Sequence, residues 1–251
     1  MRPLLFLLSL LACGLAPLRG AELDTWLEEA RVAEAKLDSA RALELLERAD
    51  AARPNDPVIL QRIAKQYSDL VVDQPSIEEK KRYAQRALDY AKRAVALNPD
   101  DAVSVLSLAI SHGKLAVYSD TRTKVSYSRL VKEEAERALV LKPDYAWAHH
   151  VLGRWHYEVA ELSGAAKFFV KILYGGLPAA SVEQAVLELK RATELEPDEL
   201  NHWLELGFAY AAAGNNVEAA ASWKRGLAMP TRGKHDEPSK RRAQEALAAL
   251  K

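Results

Sequence analysis

Apolar side chains recur at intervals of three and four residues along most of the chain, the spacing of one face of an α-helix, and short breaks containing Pro, Asn, Asp or Gly interrupt the runs. The pattern predicts an all-α fold. Its clearest instance lies towards the C-terminal end, where Trp203, Leu206, Gly207 and Tyr210 mark one helix. Gly214-Asn215-Asn216 then makes a turn, and Ala219 and Trp223 carry the apolar face of a second helix. Two such helices close into an antiparallel hairpin: the bulky positions knit them together, and Gly207 lets the partner approach closely. The same register fits upstream. Trp26, Ala30, Ala33, Ala42, Leu46, Ala49 and Pro54 form a first copy, and Leu60, Ile63, Ala64, Tyr67, Ala87, Ala94 and Pro99 a second. Val105, Leu108, Ala109, Ala138 and Pro143 form a third, and Leu152, Gly153, Ala185, Leu189, Ala192 and Pro197 a fourth.

Trp203, Leu206, Gly207 and Tyr210 match the opening half of the tetratricopeptide signature at every position, and Ala219 with Trp223 continue it. The chain therefore resembles a tetratricopeptide α-solenoid of about five helical hairpins. Each copy closes on similar residues, at 52–57, 97–101, 141–145 and 195–199. The proline there is expected to stop one helix and an acidic residue to cap the next. The closing prolines are 45, 44 and 54 residues apart, against about 34 in the standard repeat. The surplus falls between the two helices of a hairpin, which predicts lengthened helices and longer connections. Ser76 with Glu79, and Ser181 with Gln184, mark where second helices restart. The longest surplus carries Ala165, Phe168, Phe169 and Ile172 as one apolar stripe, with Lys167 and Lys171 turned elsewhere, before Gly175-Gly176 and Pro178. It predicts a helix inserted in the fourth repeat that packs on the solenoid as a lid or brace, the alternative being a membrane or partner-docking role. A final helix, from about Pro238 to Leu250, is expected to cap the stack.

The first twenty residues differ from the rest. Arg2 precedes a mostly apolar run from Pro3 to Leu18, after which polar character returns, the layout of a secretory signal cut near Gly20 or Ala21. The division is thus residues 1–20 as signal peptide and 21–251 as the repeat domain. Export to the periplasm or out of the cell follows. The single cysteine, Cys13, sits in this leader behind Leu10-Leu11-Ala12, an arrangement similar to a lipoprotein acylation site. A membrane partner is expected only if the leader is retained or lipidated. Cleavage would leave no thiol, and with it no disulfide, thiolate zinc site or cysteine nucleophile. Lys plus Arg and Asp plus Glu number 35 each, so no cationic excess is available for nucleic acid.

Leu152-Gly153-Arg154-Trp155 with Tyr157, then Leu162-Ser163, Lys167, Pro178, Ser181, Ala185 and Ala192, resemble the regulator of microtubule dynamics family. The likeness runs from about Val131 to Leu250 and includes the long insertion. It implies a tetratricopeptide-like helical fold, here in a bacterial-type exported relative, and a role in protein association. Eukaryotic relatives are linked to microtubules and membrane contacts, but a chain exported from a bacterial cell would not meet microtubules.

Catalytic constellations are missing from the chain: no phosphate-cradling glycine loop, nucleophile elbow or zinc-protease histidine pair occurs. No cofactor and no metal is expected. His149 and His156, seven residues apart, take the slots of the consensus Trp and Tyr and are expected to pack between helices rather than share an ion. A binding surface is more concrete, because the first helices of successive repeats line the concave side of such a superhelix. In the fourth repeat that face predicts Trp147, His150, Arg154 and Tyr157, flanked by Val103, Leu106 and Ile110 in the third and Asn201, Leu204 and Phe208 in the fifth. Together they would form an apolar groove with one cation, holding a protein or peptide, unless the inserted helix fills it. A tethered scaffold, and a small-ligand carrier or enzyme using His150 and Arg154, are the other readings.

Overall fold

The computed structural model describes the chain from residue 16 to residue 250, and its side chains from residue 21. Among the described residues the fold is all-α, with no strand. The hairpins are α1 (Ala16–Ala35) with α2 (Ser39–Ala52), α3 (Pro57–Leu70) with α4 (Ile77–Leu97), and α5 (Ala102–Val117) with α6 (Thr121–Leu141). The fourth, α7 (Ala146–Ala160) with α9 (Val182–Leu195), is interrupted by α8 (Gly164–Tyr174), and α10 (Leu200–Ala212) pairs with α11 (Asn216–Ala228). A last helix, α12 (Asp236–Ala249), packs on α10 and α11. The expected solenoid of five hairpins, with an inserted helix and a terminal cap, is the observed one. Of the expected leader, residues 1–15 with Cys13 lie outside the described residues, and residues 16–20 open α1.

The local rules explain the register. Helices end at Ala52, Leu97, Leu141 and Leu195, each two residues before its closing proline, because the residue before a proline is pushed out of the helical region. Asp56, Asp101 and Glu199 then accept amide hydrogens of the next helix, from Val58, Ser104 and Asn201. The rule fails once: α7 starts from Tyr145 with no side-chain cap. Ser76 and Ser181 cap α4 and α9 through the amides of Glu79 and Gln184, as expected. The surplus residues of the second and third repeats went into length, since α4 and α6 each run 21 residues.

Small residues let the hairpins close. Ala84, Ala87, Ala91 and Ala94 are fully buried along α4, and Gly207 faces the indole of Trp223, which occupies the space a Cβ would need. That close approach lets Trp223 Nε1 donate to the Leu204 carbonyl at 3.1 Å. Gly153 does the same in the fourth repeat, where a Cβ would stand 2.7 Å from Leu189 Cγ.

The inserted helix is where expectation and structure part. Helix α8 exists and ends on Gly175 in the left-handed region, but none of its residues is buried. Its backbone approaches the solenoid along α6, Lys167 reaches the Ala160 carbonyl of α7, and its half-buried positions are Ala166, Val170 and Tyr174, four residues apart. Arg129 of α6 fastens its C-terminal end by donating to the carbonyls of Tyr174 and Gly176. The helix therefore neither fills the concave groove nor buries its apolar stripe.

Candidate functional site on the inner wall

The first helices α3, α5, α7 and α10 lie side by side, and their facing side chains form the inner wall. Leu106 and Leu204, each 1% exposed, lie beneath that wall, and so does buried His150. They support the surface rather than make it. Trp147 is half-buried, with its ring centroid 5.0 Å from that of His150 and 4.8 Å from that of His202. His150 and His202 face each other at 3.0 Å between their Nδ1 atoms, so the three rings plug the junction between α7 and α10. Burial, then the nearby Arg154 and Arg242, depresses His150 to about 3. Burial and His150 likewise push His202 down. Both rings are neutral at physiological pH.

The fifth repeat's share of the predicted groove is covered. Asn201 donates to Asp236 of α12 at 2.8 Å, and the Arg242 guanidinium lies 4.0 Å over the Phe208 ring while also pairing with Glu205. Helix α12 caps the stack by folding onto this face. What stays accessible is Val103 at the start of α5, half-buried Ile110, and exposed Arg154 with half-buried Tyr157 on α7.

The expectation of an apolar groove with one cation needs correcting, because a ladder of charges continues it. Lys65 pairs with Asp69 on α3, Arg154 pairs with Glu158 on α7, and Lys114 stands between them on α5. Asp69, Lys114 and Glu158 occupy equivalent positions, one helical turn beyond the predicted stripe. The same register extended by four residues finds all three. Lys114 Nζ donates to the Ser68 carbonyl at 3.1 Å. Burial lowers its pKa; Asp69 opposes this, while Lys65, Arg154 and Lys234 add to it.

A further element carries no sequence signal. The segment leading into α12 reaches across to α3: Lys234 pairs with Asp73, and His235 Nε2 lies 3.2 Å from Asp69 Oδ1. A carboxylate only accepts, so His235 donates there. Although partial burial opposes it, bonds to His235 and Lys65 hold the Asp69 carboxyl at about 2. The base of this strap is fixed by Asp236, whose Oδ2 accepts the amides of Arg232 and Gly233 at 2.8 and 2.7 Å. The last repeat is thereby tied back to the second across the open side of the wall.

The remaining histidines are structural. His149 donates from Nε2 to the Pro143 carbonyl at 2.9 Å, as Trp203 Nε1 does to the equivalent Pro197 carbonyl at 2.9 Å. The consensus tryptophan's bond thus survives the substitution. Its Nδ1 meets Glu188 at 2.6 Å, and although burial lowers the pKa of His149, these two acceptors raise it further. His156 accepts the Ser181 amide at 3.4 Å and is pushed down by burial, then by Lys132. The two rings face different partners. Among the described residues no group of three or more His, Cys, Asp or Glu side chains is placed to hold a metal ion.

Gly153-Arg154-Trp155 divides by role. Gly153 lets Leu189 in, Trp155 donates to the Ser128 carbonyl at 2.7 Å, and Arg154 alone turns to the inner wall. The model of the family described as Regulator of microtubule dynamics protein 1-3 matches residues 24–251. Regulator of microtubule dynamics protein 2 of Macaca fascicularis is 28% identical over 144 residues, 57% of this chain and 35% of that protein. Regulator of microtubule dynamics protein 3 of Xenopus laevis is 30% identical over 151 residues, 56% of this chain and 31% of that protein. The match thus spans about a third of these relatives. Among solved structures, a thermophilic tetratricopeptide protein of Thermus thermophilus superimposes with a TM-score of 0.65 at 22% identity, covering 90% of this chain and 99% of that one. That likeness shows the fold, a tetratricopeptide solenoid.

Proposed function

The chain belongs to the Regulator of microtubule dynamics protein 1-3 family, and from that premise we propose that it is an exported, non-catalytic adaptor which holds another polypeptide against its inner wall. The supporting observation is Arg154. It is an exposed guanidinium on the wall, beside Tyr157 and near Lys114, on a fold that serves protein association. Its pairing with Glu158 joins two exposed side chains four residues apart on one helix, a contact worth well under ~1 kcal/mol. A partner carboxylate can therefore replace it at little cost. Tyr157 adds a flat, half-buried ring, and Ile110 an apolar contact, so the partner would be an extended segment or a helix with an acidic group beside an apolar one.

Export is the part of this proposal that rests on the apolar run from Pro3 to Leu18. Intact-mass measurement of the protein purified from its native cells reads it: loss of about the first twenty residues is the expected result, and a full-length or lipid-bearing chain would favour a tethered scaffold instead.

For the binding surface, affinity capture from the native compartment should compare wild type with Arg154→Glu and Tyr157→Ala. These two residues suit the purpose better than Trp147, whose indole packs on His150 and His202 and whose removal would open the core. The expected outcome is loss of the captured polypeptide in both variants with helical circular dichroism preserved, and with the melting temperature preserved for Arg154→Glu; Tyr157→Ala, which uncovers part of the core around Leu189 and Leu206, should melt somewhat lower. Unchanged capture by both variants would refute the inner wall as the binding surface.

A further inference from the structure

The largest departure from ordinary surface chemistry is α8. Phe168, Phe169, Ile172 and Leu173 are 59–63% exposed, on a helix whose half-buried positions are Ala166, Val170 and Tyr174. At 100° per residue these four cover an arc of about 140°. Ala166, Val170 and Tyr174 lie against α6 on the other side. A helix that served only as a brace would be turned the other way, burying the phenylalanines and showing the alanines.

The charges on α8 itself are of one sign. Residues 162–182 contain Lys167 and Lys171 and no acidic side chain. On α6, Arg129 is engaged by the carbonyls of Tyr174 and Gly176 and Lys132 by Glu136, so the cations the face itself offers are those of α8. Lys167 Nζ donates to the Ala160 carbonyl, which leaves its charge uncompensated. An occupant must therefore be apolar in its interior and anionic at its rim. A second copy of the chain fits poorly, since it would bring the same cations face to face.

We propose that α8 is an interfacial helix that docks this protein on an anionic lipid bilayer, with Phe168, Phe169, Ile172 and Leu173 among the acyl chains and Lys167 and Lys171 at the phosphates. The helix has 11 residues, about 16 Å, roughly half the length needed to cross a bilayer, and so it lies in the plane of the surface. Fastening by Arg129 and the Gly175 cap holds it rigid at the moment of contact. The site lies off the inner wall, which stays free to hold a polypeptide, and the inference does not depend on that reading.

The test is vesicle co-flotation of the full chain with phosphatidylcholine vesicles, alone or containing about one third phosphatidylserine, an anionic lipid of the kind polybasic surfaces select. Three proteins are compared: wild type, Phe169→Ser with Ile172→Ser, and Lys167→Glu with Lys171→Glu. Because these side chains are exposed, all three should melt together. Wild type is expected to float with the anionic vesicles. The serine pair should bind about a hundredfold more weakly, in keeping with two large apolar side chains left out of the membrane. The glutamate pair should lose at least about thirtyfold, from the attraction of each lysine to an anionic surface. Binding that is unchanged in both variants would place the attachment elsewhere in the chain and overturn the proposal. So would equal binding of wild type to neutral vesicles, or concentration-dependent self-association abolished by the serine pair.

Discussion

Acid should loosen this solenoid at one identifiable joint, the pair of buried histidines between α7 and α10. His150 and His202 share one hydrogen bond at 3.0 Å, and Nε2 of His202 has no hydrogen-bond partner. The groups facing the pair are Arg154 and Arg242 on the side of His150, and Glu196, whose carboxylate lies 3.6 Å from His202 Nε2. In the unfolded chain each ring takes up a proton near pH 6.5; in the folded chain His150 resists until about pH 3. The folded pKa is the lower one, so the unfolded state binds more protons throughout that interval. Stability is then full above pH 6.5 and falls as the pH drops towards 3. Each ring contributes a slope of about 1.4 kcal/mol per pH unit. At pH 5.0 this comes to about 2 kcal/mol for His150 and, with His202 shifted in the same direction, about 4 kcal/mol for the pair.

The measurement is thermal unfolding at pH 7.5 and 5.0 for wild type and for His150→Leu with His202→Leu, a change close to volume-conserving that leaves neither ring unpaired. At about 2–4 °C per kcal/mol for a domain of this size, the wild type should lose roughly 8–16 °C more on acidification than the double variant. His149 works in the opposite sense. Its folded pKa is raised, so its pairing with Glu188 stabilises fully below pH 6.5 and fades as the pH rises through the folded value. It is present in both proteins and cancels in the comparison. Equal acid loss in the two proteins would refute the assignment of the joint to this pair.

Glycine contacts give two changes of opposite expectation. Gly207→Ala forces a methyl into the Trp223 indole and should lower the unfolding free energy by about 1–3 kcal/mol in urea titration. Gly113→Ala meets only Val131 Cγ2 at 3.6 Å inside α5 and should be neutral or stabilising by up to about 1 kcal/mol in the same titration. Asp236→Ala leaves the Arg232 and Gly233 amides without their acceptor and the Asn201 side-chain amide with Glu199 alone, at a cost of about 1–3 kcal/mol. Hydrogen exchange should locate the loss in residues 229–240, with a smaller effect at the end of α3 where Asp69 loses His235.

The sequence showed the hairpins because the repeat writes the same demand several times over. Where a small residue must sit under a bulky one, as at Gly207 under Trp223 and Gly153 under Leu189, side-chain identity and packing are the same statement. His149 shows that the slot, more than the residue, is what repeats: an imidazole makes the bond to Pro143 that an indole makes to Pro197. The inner wall was legible only in part. A periodic stripe tells which side of a helix a residue occupies, not how deep it sits, so Leu106 and Leu204 could not be told from surface residues. Asp69, Lys114 and Glu158 were within reach, one turn further along the same register. The strap was not, because Lys234 and His235 meet Asp73 and Asp69 across 161 and 166 residues, and no periodicity links a loop to a helix at that separation. The α8 stripe was read correctly as apolar and helical, but periodicity is indifferent to whether such a face turns inward or outward.

The strap and the wall bear on each other. Lys114, Lys65 and Lys234 gather near Asp69, and Asp73 answers Lys234, so the closure is built from charge pairs rather than from apolar burial. Exposed pairs of this kind are weakened by salt and by competing ions. An acidic segment entering beside Arg154 would meet Lys114 and Lys234 as well, and each contact it made with Lys234 would be taken from Asp73. On the proposed binding mode, partner entry and strap release would be one exchange of carboxylates. An apolar latch of the same area would have sealed the wall. The ionic one ties the last repeat to the second through Lys234–Asp73 and His235–Asp69 and leaves the inner wall unsealed.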